Sequence, residues 1–284
     1  MGNSASTDTI EVNGKTYNSD VIVVNDKVIE DKFMNKSNQN ICTEFTHLCL
    51  ISENLEKIEL LLNQGIDVDQ SSCPYGYTPL IMASCLTSIH SNNNIIKLLI
   101  KYGANVNLQT KKEGYTALHT ACVRSKYNSS IETVKILINS KCDVNIQNSN
   151  GQTALMQSVL NYSYCHPDII KLLIDAGTDL NLIDNRKRNA LIYACYEKYA
   201  NANIVELLLK NWINVNHKND NGYTALMCVV NYPETVTSIK IVNLLLEYFA
   251  DTNLVNSDGE TAFDIAKKLG NEVIIKILSD HQKK

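Results

Sequence analysis

Glu113-Gly114-Tyr115-Thr116-Ala117-Leu118-His119-Thr120-Ala121-Cys122 is the stretch that decides the fold, because close variants of it return along the chain. Tyr77-Thr78-Pro79-Leu80, Gln152-Thr153-Ala154-Leu155, Arg188-Asn189-Ala190-Leu191, Tyr223-Thr224-Ala225-Leu226 and Glu260-Thr261-Ala262-Phe263 are the other clear copies. The Thr or Asn stands at 78, 116, 153, 189, 224 and 261, so successive copies lie 35 to 38 residues apart. Self-similarity at that period marks small units that bury their apolar faces on their neighbours, not one closed core.

Gly114 permits a tight turn, and Thr116 is a good helix N-cap, its hydroxyl able to accept a bond from a free backbone N–H. Leu118, Ala121 and Cys122 then form a narrow apolar stripe, which reads as a short first helix. A polar stretch, Ser125 to Ser130, interrupts the pattern before Val134, Ile136, Leu137 and Ile138 resume it as a second helix. Cys142-Asp143-Val144-Asn145-Ile146 leads into Asn148-Ser149-Asn150-Gly151, a composition suited to an exposed hairpin tip. Each unit is thus expected to be two antiparallel helices and one finger.

The chain has 284 residues, 44% of them apolar, with a formal net charge of −4. Its pI near 5.9 leaves no basic field to attract nucleic acid or anionic lipid. Nine cysteines, without a Cys-x-x-Cys pair, fit a reducing compartment, and we expect a cytoplasmic protein, in the host cytoplasm if the source is a virus. Cys85, Cys122, Cys195 and Cys228 fall where first helices approach closely and need small apolar side chains. Asparagine is abundant beside Lys, Ile and Tyr, which we read as AT-rich coding composition without mechanistic meaning.

These residues resemble the ankyrin repeat, and the setting resembles its giant-virus and protist members. Gly-x-Thr-Ala-Leu-His-x-Ala stands at Gly114 to Ala121, and the closing Leu-Leu-x-x-Gly-Ala-x-Val-Asn phrase at Leu98 to Asn107. A degenerate first unit is visible in Phe45-Thr46-His47-Leu48 with Leu60-Leu61-Leu62-Asn63-Gln64-Gly65. The resemblance covers about residues 41–284 and implies an all-α solenoid of about seven helix-turn-helix-hairpin units with a concave face of fingers and first helices.

The departures from the family pattern matter. The surplus length falls between the helices, at Ser88 to Asn94, Ser125 to Ser130 and Tyr162 to Pro167, where protruding turns are expected. The family's interloop His occurs only at His119, so interloop rigidity is expected to be lower than in regular members. The helix-ending Gly of Gly65, Gly103 and Gly177 is replaced by Lys141, Trp212 and Phe249. A left-handed backbone there would strain each bulky residue by about 1 kcal/mol, so either the turn is remodelled or the strain is tolerated. Trp212 either folds against its own helix end or serves as an aromatic anchor for a partner.

Before the solenoid, Asn13-Gly14 and Asn25-Asp26 separate short β-favouring runs, which predicts a β-rich extension at 10–34 after a tail at 1–9 and before a polar connector at 35–40. Gly14-Lys15-Thr16 is no phosphate loop, since Thr9 stands where that motif needs Gly, and no nucleotide or other cofactor is expected. Met1-Gly2-Asn3-Ser4-Ala5-Ser6 satisfies the N-myristoylation pattern at Gly2. One acyl chain gives only marginal membrane binding, so membrane contact is expected only if Gly2 is acylated and a partner helps.

The six histidines occupy unrelated positions of different units, so no catalytic group or metal site converges; His166 beside Cys165 finds no further ligand at suitable spacing. The expected activity is therefore non-enzymatic binding of a protein on the concave finger and first-helix surface, by a monomer. The alternative is a scaffold tethered to a membrane or particle through an acylated terminus. The residue before each recurring Thr or Asn gives a ladder, Tyr77, Tyr115, Gln152, Arg188, Tyr223 and Glu260, of side chains the repeat framework leaves free. Candidate partner-binding residues are Tyr77, Tyr115, Gln152, Arg186, Arg188, Tyr223 and Trp212; Arg186-Lys187-Arg188 reads either as a basic tip for an acidic partner patch or as an ordinary solvated turn.

Overall fold

Each recurring Thr or Asn starts a helix, as its side chain demands. In a computed structural model of the chain, the oxygens of Thr78, Thr116, Thr153, Asn189, Thr224 and Thr261 accept the backbone N–H three residues on, at 3.0 to 3.3 Å. The structure describes residues 9–12, 15–18, 22–24, 27–29, 44–49, 55–71, 75–85, 93–123, 128–160, 167–196, 200–232 and 235–283.

Among these, seven helix pairs follow one another. The first helices are α1 (Glu44–Leu48), α3 (Pro79–Cys85), α5 (Ala117–Val123), α7 (Ala154–Leu160), α9 (Ala190–Ala194), α11 (Ala225–Val230) and α13 (Ala262–Leu269). The second are α2 (Leu55–Asn63), α4 (Asn93–Lys101), α6 (Asn128–Asn139), α8 (Pro167–Asp175), α10 (Ala202–Lys210), α12 (Val236–Glu247) and α14 (Glu272–Gln282). First helices pack on first helices and second on second, unit after unit. One continuous apolar core runs from Phe45 to Leu278. First helices of five to eight residues could not persist alone, and burial of nearly every residue of α5, α7 and α11 supplies what their length does not.

The second helices are amphipathic: α4 buries Ile95, Ile96, Leu98 and Leu99, while Lys97 and Lys101 face water. The cysteines do the packing expected of them. Cys122, Cys195 and Cys228 are buried, as are Cys49 and Cys142, and Cys85 is half-buried. Burial pushes the Cys228 and Cys49 thiols up to about 12, which leaves them inert as nucleophiles. Of the expected interhelical turns, Asn128 to Ser130 are instead the first residues of α6, Asn93 and Asn94 open α4, and Pro167 opens α8. Pro at a helix start leaves no N–H wasted. The rest of those three turns lies outside the described residues.

Four short strands precede the helices. β1 (Thr9–Val12) pairs antiparallel with β2 (Lys15–Asn18), and β3 (Ile22–Val24) with β4 (Lys27–Ile29). The registers Val12↔Lys15 and Val24↔Lys27 leave two residues for each turn. Gly2, with its acylation pattern, and the connector at 35–40 lie outside the described residues.

All three bulky residues at the ends of second helices keep the left-handed turn. Lys141, Trp212 and Phe249 have φ of 59°, 64° and 65°, against 86° to 88° for Gly65, Gly103 and Gly177 at the same turn. The closing bonds persist too: Trp212 N–H reaches the Leu209 carbonyl at 3.1 Å and Phe249 N–H the Leu246 carbonyl at 3.1 Å, as Gly103 reaches Ile100 at 3.0 Å. The turn is therefore not remodelled, and the side chains carry the strain.

Asparagine proves to be mechanical. The side chains of Asp69, Asn107, Asn145, Asn181 and Asn216 each accept the backbone N–H of the next unit, from Asn105, Asp143, Asp179, Asn214 and Asp251, at 2.8 to 3.3 Å. A second row joins the fingers: Lys111, Ser149, Asn185, Asp220 and Ser257 donate their N–H groups to the carbonyls of Tyr75, Glu113, Asn150, Arg186 and Asn221, at 2.7 to 3.2 Å. Gly114 is required here, since a Cβ on it would stand 2.8 Å from the Ser149 nitrogen.

Candidate partner-binding face

The ladder residues stand on the returning strand of each finger, just before the helix caps. Their backbone is fixed by a side chain four or five residues earlier. Thr110 Oγ1 accepts from Tyr115 N–H, Asn148 Oδ1 from Gln152, Asp184 Oδ1 from Arg188, Asn219 Oδ1 from Tyr223 and Asn256 Oδ1 from Glu260, all at 2.8 to 3.0 Å. The side chains are less free than the sequence implies. Tyr77, Tyr115 and Tyr223 are half-buried, and Tyr77 and Tyr223 pack on the core. Gln152 is only 7% exposed and donates from Nε2 to the Tyr193 hydroxyl at 2.7 Å. Glu260 pairs with Lys268 at 3.0 Å.

Arg188 turns inward as well. Its Nε and Nη2 donate to Asp184 Oδ2 at 2.8 and 2.6 Å, and its guanidinium lies 4.5 Å from the centre of the Tyr193 ring. The Tyr193 hydroxyl donates to the same Asp184 oxygen at 2.5 Å. The Asp184 side chain is 1% exposed. Burial works to raise its carboxyl, but the bonds from Arg188, Tyr193 and two backbone N–H groups together hold it below the usual carboxylate range. Burial first, and then the Asp184 bond, push the Tyr193 hydroxyl well above its ordinary value. The expected basic tip therefore presents Arg186 and Lys187, both exposed, with the Arg188 charge spent on Asp184.

One unit earlier, His119 does the joining. Its Nε2 meets the Gln152 carbonyl at 3.0 Å, and because a carbonyl can only accept, Nε2 carries the proton. Nδ1 then accepts from Thr116, 2.9 Å from its hydroxyl. Burial pushes His119 down to about 4 despite the Gln152 bond, so the ring is neutral. Side-chain amides add to the linking, at this junction and at the next. Gln109 Nε2 donates to the Gly114 and Gln147 carbonyls at 2.7 and 3.0 Å, and Gln147 Nε2 to Gly151 and Ile183 at 2.5 and 2.8 Å.

Next to the Asp184 network a cleft of about 230 Å³ opens among first helices and fingers, lined by Tyr196, Tyr223, Tyr232, Asn219, Asn221 and Asn231 with Cys228 beneath. The Tyr196 and Tyr232 rings are 6.3 Å apart and inclined at 58°. At the ends of the second helices, Trp212 is 91% exposed and Phe249 is 85% exposed. Trp212 thus does not fold against its own helix end. Among the described residues, no group of three or more His, Cys, Asp or Glu could hold a metal ion, and His90, Cys165 and His166 lie outside them.

The family model for ankyrin repeats in triple copies matches this chain at residues 25–110, 46–129, 85–184, 123–219, 162–254 and 198–284. The chain belongs to the ankyrin repeat family. It is similar to the crystal structure of the ankyrin repeat domain of Bcl-3, a member of the IkappaB protein family, at a TM-score of 0.70 and 26% identity, with 84% of this chain and 98% of that one covered. It is 32% identical over 106 residues to ankyrin repeat protein L91 of Acanthamoeba polyphaga mimivirus, covering 37% of this chain and 16% of that one. It is also 32% identical over 111 residues to ankyrin repeat protein YahD of Escherichia coli K12, covering 39% of this chain and 55% of that one. The chain thus spans from about a sixth to about half of the length of these relatives.

Ankyrin repeats generally mediate protein–protein interaction, typically without catalysis. Within this ankyrin stack, Tyr193, Tyr196 and Tyr232 escaped the sequence reading, along with Asp184. A signal was present for two of them. Tyr193 stands four residues after its cap, where other units have Met82, Thr120, Gln157, Cys228 and Ile265, and so bulky a side chain in a crowded row needs a partner for its hydroxyl. Asp184 is the one acid in the row of Thr110, Asn148, Asn219 and Asn256.

Proposed function

We propose that this chain is a non-enzymatic binding module that holds a partner protein on the concave surface of fingers and first helices, centred on units five and six. The observation that carries this reading is the tyrosine- and asparagine-lined cleft, set on fingers whose backbones are tied to one another. Tyr223 contributes directly, while Tyr77 and Tyr115 extend the same half-buried aromatic row towards the amino end. Gln152 and Arg188 act from within, by fixing Tyr193 and finger five. Arg186 remains an exposed cation of that finger, beside Lys187, and Trp212 is a second contact at the end of α10, where its exposure and strain gain nothing for the fold itself. We place the module in the cytoplasm and as a monomer. No helix among the described residues is long and apolar enough to cross a membrane, and the tethered-scaffold alternative rests on acylation of Gly2 together with the β-rich extension.

Photo-crosslinking tests the location. A benzophenone amino acid placed at Asn221 or Arg186 is expected to trap the same protein in cells, and one at Lys135 on α6 is not. Crosslinks confined to Lys135, or none from the two concave positions, would overturn the reading.

A further inference from the structure

The cleft between units five and six has a shape and chemistry that restrict what enters it. At about 230 Å³ it lies below the range of ordinary small-molecule pockets, and it suits one side chain. Its lining carries no formal charge. Two of the nearby cations are already committed, Arg188 to Asp184 and Lys268 to Glu260, and Arg186 stands exposed on finger five outside the lining, so a charged group inside the cleft would sit without a counter-ion. The walls offer three phenol rings, two of them inclined to each other at a spacing that aromatic groups favour. Asn219 Oδ1 is used by the Asn221 and Tyr223 N–H groups, and the amides of Asn221 and Asn231 face the exposed rim. Ring faces and uncharged amides in one small space match a planar ring bearing a single hydrogen-bonding atom.

We infer that this cleft receives one Tyr or Trp side chain projecting from the bound protein, its ring against Tyr196 and Tyr232 and its polar atom bonded by the asparagine amides. The inference rests on the concave-face reading and adds the chemistry of the anchor. Such a side chain brings large contact area with little rotamer freedom to lose, which is why Tyr and Trp dominate interface hot spots.

The test uses the full chain and blocked amino acids as probes. N-acetyl-tyrosinamide and N-acetyl-tryptophanamide at millimolar concentration are expected to move the side-chain amide resonances of Asn219, Asn221 and Asn231. N-acetyl-glutamate amide and N-acetyl-lysinamide are expected to leave them in place. Tyr232→Ala should weaken the aromatic probes two- to tenfold, and Asn221→Ala, at an exposed position that leaves the fold intact, about twofold. No response to the aromatic probes, or an equal response to the charged ones, would overturn the inference. Probe binding with failed crosslinking would instead sink the concave-face reading and keep the cleft, so the two failures are distinguishable.

Discussion

Units three and four are joined by a neutral histidine, whereas units four and five are joined by a buried charge. His119 closes its bridge with two neutral bonds, to Thr116 and to the Gln152 carbonyl, and it fits the narrow space without disturbing its neighbours. Asp184, by contrast, gathers Arg188 and Tyr193, and through Tyr193 it reaches Gln152 in the unit before. Both devices fix a finger to the helices behind it. The second also lies beside the tyrosine-lined cleft, where Arg188 and Asp184 both act on Tyr196. Regular repeats make the rod; the irregular ones make a place on it.

The largest expected effect that would break this contrast is removal of the buried acid. Asp184→Ala leaves the Arg188 guanidinium and the Tyr193 hydroxyl without their acceptor, and it should destabilise units four to six by about 3 kcal/mol. Hydrogen exchange in α9 and α11 reads this loss; protection equal to that of the parent chain would mean the network is decorative. The second effect uses pH. His119 is neutral in the fold with a value near 4 against an ordinary 6.5, so its contribution is complete above 6.5 and is lost as pH falls towards 4. That gap corresponds to on the order of 3 kcal/mol at most. Asp184, held below the carboxylate range, keeps its contribution down to about pH 4 and loses it only below. At pH 5, amide protection corrected for intrinsic rates should therefore fall in α5 and α7 and hold in α9 and α11. His119→Met should abolish the difference, and persistence of the fall in that variant would refute the assignment.

The smallest effect is a gain. Trp212→Gly relieves a left-handed bulky residue and should raise stability by about 1 kcal/mol, measured as a shift in the urea midpoint. An unchanged midpoint would show that the turn bears no strain and would weaken the case for Trp212 as a contact kept for binding.

The period, the helix caps and the identity of the core were legible because they are local. Thr116 caps its helix whatever lies elsewhere, and Leu118 and Ala121 face inward by spacing alone. The direction of the ladder side chains was not legible, because the Gln152 amide nitrogen turns inward to Tyr193, forty-one residues later. Arg188 was misjudged for a related reason: an arginine in a turn looks solvated until the carboxylate four positions before it is known to be buried. The asparagines were read as genome composition, since their partners lie a whole unit away and no pattern within one unit shows them.

Those asparagines also give the rod a direction. In both rows of links the later unit supplies the N–H and the earlier unit the oxygen. Peeling a unit from the carboxyl end would therefore bare oxygens, which tolerate incomplete bonding, while peeling one from the amino end would bare donors, which do not. The stack should ravel from its tail towards its head, and anything clasped across units five and six would act as a splint against that unravelling.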